Sequence, residues 1–130
     1  MTPPPPVPEV SAWLAALPPD QAALLGDLRH RILALLPGAV ECISCAMPAY
    51  RQETGGKVVV GYAAFAGHCG IYPFSGSVVP LMTAQTHGFK VSKSGVLFTP
   101  SQPLPDTILQ RLIELRLAEL AASYPGAKTR

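Results

Sequence analysis

"KVVVGYAAFAGHCGIYP", residues 57–73, decides the fold. An apolar run reaches Ala66-Gly67 and then returns, which reads as two antiparallel strands joined by a two-residue turn. That turn pairs Phe65 with His68, Ala63 with Gly70 and Gly61 with Tyr72, all on one face of the sheet. The other face holds Val60, Tyr62, Ala64, Cys69 and Ile71, an apolar strip expected to lie under helices. The first face has a floor of Gly61, Ala63 and Gly70, flanked by Phe65, His68 and Tyr72. Small residues beside a histidine and a tyrosine predict a shallow ligand pocket.

Upstream, residues 41–52 read as a broken strand, and "ETGG" (53–56) turns the chain into the hairpin. Before it, residues 9–17 form a short helix stopped by Pro18. A second helix over 18–36 starts at "PPDQ", with Asp20 near the positive end of its dipole. Leu25, Leu28, Ile32, Leu35 and Leu36 recur there at helical spacing. Gly26 inside this helix costs about 1 kcal/mol against alanine, and close packing would be one reason for it. Downstream, 75–88 reads as a short irregular helix weakened by Pro80. Residues 89–98 supply further strand, bent near Ser94-Gly95. "LPDTILQRLIELRLAELAAS" (104–123) is the clearest helix: Ile108, Leu109, Leu112, Ile113, Leu115, Leu117 and Leu120 face inward, and Arg111, Glu114, Arg116 and Glu119 face water. Helices at both ends of a meander predict an α+β fold, an antiparallel sheet with the helices packed on one face. The expected single domain spans 9–124, between a disordered proline-rich tail (1–8) and a short disordered tail (125–130).

The chain has 130 residues, 48% of them hydrophobic and 14% charged, so its core should be generous and its surface sparsely charged. No apolar run approaches a bilayer-spanning length. The first residues lack the basic-then-apolar order of a secretory signal. Three cysteines, an odd number, do not look like a disulfide framework, and a reduced cytoplasmic protein is expected. The ten basic residues are scattered without interleaved aromatics, which argues against nucleic acid as a partner. The sequence sets no oligomeric state.

Cys42-Ile43-Ser44-Cys45 has the outward form of a redox or metal motif. A redox pair sits at a helix N-terminus, whereas Met47-Pro48 follows here and no helical period begins. On a strand the two thiols would point to opposite faces. The motif reads as incidental.

The candidate ligand-binding residues are Met47, Tyr50, His68, Tyr72, Lys90, Ser92 and Lys93. Each has a plainer alternative. His68 after a tight turn suits a hydrogen-bonded structural histidine, Met47-Pro48 a simple bulge, and the lysines an edge strand guarded by charge. Lys90 and Ser92 share a strand face that Lys93 opposes.

Glu41, "ISCAMPAY" (43–50), "YAAFAGHCGIYP" (62–73), "FKVSKSGVLF" (89–98) and "LPDTILQRLIELR" (104–116) together resemble the YdhG-like family, a bacterial domain of largely unknown function. One member of that family is described as a frataxin-like intracellular iron chaperone. The resemblance covers roughly residues 9–120 and implies a frataxin-like sandwich, with iron as the one cofactor or cargo it suggests. Three departures stand out. Cys45-Ala46 replaces a usual Tyr-Gly, Leu97 stands where an arginine is common, and 75–87 lacks the acidic residues of relatives.

Three functions follow in order: a binding domain for a small ligand or metal, an iron chaperone, and an enzyme. Iron handling lacks an acidic ridge, since the 18–36 helix offers only Asp20 and Asp27 before Arg29, His30 and Arg31. An enzyme lacks any nucleophile beside a base, any carboxylate pair and any phosphate loop, so no catalytic residue is assigned.

Overall fold

The computed structural model describes residues 7–122. Helices α1 (Pro8–Ala15) and α2 (Pro19–Leu35) precede strands β1 (Val40–Ser44), β2 (Met47–Arg51), β3 (Val58–Phe65) and β4 (His68–Tyr72). A 3-10 turn (Val79–Met82), β5 (Val96–Phe98) and α3 (Asp106–Ala122) complete the chain. Pro8 and Pro19 open their helices, where a missing N–H costs nothing. Most of the expected tails lies outside the described residues.

All five strands form one antiparallel sheet in the order β1-β2-β3-β4-β5. The central hairpin has the expected register, with Phe65 on His68, Ala63 on Gly70 and Gly61 on Tyr72. Tyr50, Val60, Tyr62, Cys69, Ile71 and Phe98 pack with α1, α2 and α3 into one core. The bulge opposite Tyr50/Arg51 lets Val59 and Val60, neighbours in sequence, both be fully buried. Among the described residues no helix is long and apolar enough to cross a membrane.

Three local expectations change. Residues 41–52 are two strands joined by a two-residue turn at Cys45-Ala46, whose φ angles are +53° and +63°. Both values suit a type I′ hairpin turn, which neither residue signals in sequence. Pro48 has no N–H to give, and pairing of β2 with β3 begins one residue later, at Ala49. Nothing lies within 4 Å of where a Cβ on Gly26 would sit, so close packing does not explain that glycine. Arg116 is buried, not solvated: its Nε and Nη2 donate to the Val58 carbonyl at 3.1 and 2.8 Å, beside the bulge.

Candidate functional site

The sheet face away from the helices carries its own layer of side chains. Cys42, Ala49, Gly61 and Tyr72 stand in one cross-strand row, and Ala63, Gly70 and Leu97 in the next. The predicted glycine floor is present, but the chain itself covers much of it. A Cβ on Gly70 would meet the Tyr72 ring, with Cζ at 2.7 Å, and one on Gly95 would meet the other edge of that ring. Tyr72 therefore lies flat in a slot between two glycines. A Cβ on Gly61 would fall 2.8 Å from Phe74 Cε1, 2.9 Å from the Pro48 carbonyl oxygen and 3.4 Å from the Met47 sulfur. Phe74 reaches there because the chain leaves β4 at Pro73 and bends back through a positive φ of +55°. The expected open hollow is thus lined and partly filled by rings.

At the turn end of the face, Phe65 and His68 stack with centroids 5.0 Å apart. The His68 ring makes no hydrogen bond among the described residues. Gln21 does the structural bonding at that turn, its amide donating to the carbonyls of Phe65 at 2.8 Å and His68 at 3.3 Å. Tyr72 is half-buried and its hydroxyl also lacks a protein partner among the described residues. Burial, with a smaller effect from Cys69, pushes its pKa upward, so the hydroxyl stays protonated as a donor. Below the turn a depression of about 510 Å³ is lined by Leu17, Pro18, Asp20, Gln21, Phe65 and Pro100 among others.

Met47, His68 and Tyr72 are therefore brought onto one face. Tyr50 is not with them. It is fully buried on the helix side, where its hydroxyl donates to Glu41 Oε2 at 2.7 Å and meets the Tyr62 hydroxyl at 3.0 Å. Lys90, Ser92 and Lys93 are exposed in the loop before β5. Of these, Lys93 lies against Gly76, its Cε 3.6 Å from where a Cβ there would sit, two residues past Phe74.

Sequence reading missed a buried polar cluster on the helix side. Arg29 holds Glu41 with two bonds of 2.7 Å and reaches the Ser11 hydroxyl at 3.2 Å. Val7 N–H also donates to Glu41. Burial favours the neutral Glu41, but Arg29, Tyr50 and the Val7 N–H outweigh it and lower its pKa. Burial pushes Tyr62 up to about 12. Trp13 stacks edge-on against Tyr62 and donates to the Ala46 carbonyl at 3.2 Å, tying α1 to the β1–β2 turn. The only sequence hint of this cluster was a carboxylate, an arginine and two tyrosines in otherwise apolar segments.

All three cysteines are free, and Cys69 is buried with its pKa pushed by burial to about 11. Asp27 pairs with Arg31, and Asp20 accepts from the Gln21 N–H. Among the described residues no three His, Cys, Asp or Glu side chains gather into a cation site.

No family model matches the chain, and no curated protein matches it. A solved structure does. A Bacillus subtilis protein of the DUF1801 family (YdhG) superposes with a TM-score of 0.79 over 89% of this chain and 94% of that one, at 17% identity. At that identity the likeness is one of architecture, and the chain has the fold of that DUF1801 protein.

Proposed function

We propose that this chain is a small-ligand-binding domain whose ligand lies on the helix-free sheet face. One observation carries the reading: His68 and Tyr72 stand on that face as half-buried polar rings with no hydrogen-bond partner among the described residues, their polar atoms still open to solvent. Polar groups that the protein leaves unbonded are free to bond a ligand, and both of these stand on one face of β4. Met47, Phe65 and Phe74 supply polarizable and aromatic contact around them. The ligand class this suits is a planar organic acid, stacked on the rings and bonded to the Tyr72 hydroxyl, with Lys93 at the rim.

Iron carriage, suggested by the sequence resemblance, has less support. Glu41 is committed to Arg29, Asp27 and Asp106 share Arg31, and among the described residues no three His, Cys, Asp or Glu side chains gather. Calorimetric titration with a panel of one- and two-ring aromatic carboxylates tests the proposal. Binding that weakens at least about tenfold in Tyr72→Ala, with an unchanged melting temperature, supports it. Equal binding by both proteins, or none by either, contradicts it.

A further inference from the structure

The two edges of the sheet are finished differently. β5 is three residues long, and the chain before it folds alongside: Leu97 N–H donates to the Lys90 carbonyl at 2.8 Å, and Val91 bridges Val96. Lys90 and Lys93 stand exposed there, and a short strand with lysines is a usual protection against stray pairing. β1 has none of these features. Its five residues include no proline or lysine, and its pairing with β2 has no bulge.

The Cys45-Ala46 turn fixes which groups of β1 point outward. With a two-residue loop the hydrogen-bonded pairs are Ser44–Met47, Cys42–Ala49 and Val40–Arg51. The N–H and C=O groups of Glu41 and Ile43 therefore point away from β2. Those groups enter no backbone bond outside the ladder among the described residues. Ile43 is 39% exposed, an uncovered aliphatic side chain on this edge. Glu41 is the one charge on the strand and is already neutralised by Arg29, so two such edges meet without unpaired like charges.

We propose that β1 pairs antiparallel with β1 of a second copy of this chain, centred on Cys42, making one sheet continuous across both copies. Only that centre pairs the whole strand. It sets Glu41 opposite Ile43 of the second copy, and each such pair exchanges both backbone hydrogen bonds through its outward groups. The contact is self-complementary, as a two-fold dimer requires. Cys42 faces itself at a non-hydrogen-bonded position, where Cα atoms approach to about 4.5 Å, within the span of a disulfide. A single strand pair lies at the small end of interface sizes, so the dimer is reversible and grows with concentration.

Sedimentation velocity from low micromolar to millimolar protein reads the mass, and diamide treatment of Cys45→Ser reads the register. The expected results are a concentration-dependent dimer and a reducible cross-link. In that cross-link two Cys42 thiols become one disulfide, and diamide takes up their two protons and two electrons. Ile43→Pro removes an outward N–H without breaking a bond to β2. It lowers the disulfide yield at least about tenfold while the circular dichroism spectrum stays the same. A monomer throughout the range with no Cys42 disulfide overturns the proposal. So does a dimer that forms equally well in Ile43→Pro, which would place the contact elsewhere.

Discussion

The Tyr72 ring lies over Gly70, two residues back on the same strand, so close that a Cβ at residue 70 would stand 2.7 Å from the ring's Cζ. Side chains two apart on a strand share a face, and the missing Cβ at Gly70 lets the ring lie down along it. Gly95 does the same from the next segment. The contact at Gly70 is with the far end of a half-exposed side chain, whereas Gly61 is met by the Pro48 backbone oxygen at 2.9 Å.

That difference predicts opposite outcomes for two similar substitutions. Gly70→Ala should lift Tyr72 outward and change stability by less than about 1 kcal/mol, because the ring can swing into solvent. Gly61→Ala presses on fixed backbone and should cost about 1–3 kcal/mol as overpacking. Thermal melts of the two variants check this; equal losses would show that Tyr72 is held as firmly as the backbone.

Arg29 and Glu41 give the second prediction. Both side chains are largely buried, at 13% and 5% exposure, so Arg29→Ala leaves a carboxylate without its partner. The expected loss is about 3–5 kcal/mol, read from urea unfolding at pH 7.

The pH dependence follows from the same pair. The folded state lowers the Glu41 pKa below its ordinary 4.5, so in that window the unfolded chain binds more protons than the folded one. Stability from this group is complete above about pH 5 and is lost as pH falls through the folded pKa. The Glu41→Gln variant should show a flatter decline as pH falls below about 5 than the wild type. Parallel curves would mean Glu41 does not set the acid limb.

Two single changes should stabilise the chain. Gly26 occupies a helix interior with open space at its missing Cβ, so Gly26→Ala should gain about 1 kcal/mol. Ala46 sits at φ +63°, where a Cβ is strained, so Ala46→Gly should gain about 1 kcal/mol. Chemical denaturation of each variant, with the slope unchanged, is the check.

Much of the fold was legible because hydrophobic alternation and one strong turn fixed the β3–β4 register, and the register sorted core from open face. The β1–β2 hairpin was not, since Cys45-Ala46 carries no glycine, asparagine or aspartate to mark a positive-φ turn. The site was half legible. Met47, His68 and Tyr72 share a face, but Tyr50, an odd three residues from Met47 on the same strand, falls on the other side. Phe74 could not be foreseen over Gly61, because its position depends on a bend after Pro73 that no periodicity records. Arg116 reads as solvated from its charge alone, and the carbonyl of Val58, presented at the bulge, together with the Glu119 carboxylate explains its burial.

The most direct test of a ligand on the helix-free face is where a bound probe perturbs the protein. Backbone and methionine-methyl nuclear magnetic resonance, recorded while an aromatic carboxylate is titrated in, reports every position at once. The expected shifts cluster at Met47, Gly61, Ala63, His68, Gly70 and Tyr72, and spare Leu25 and Ile108 in the core. Shifts centred on Leu17, Asp20 and Gln21 would move the site to the depression below the β3–β4 turn, and no saturable shifts at all would contradict a binding role for this face.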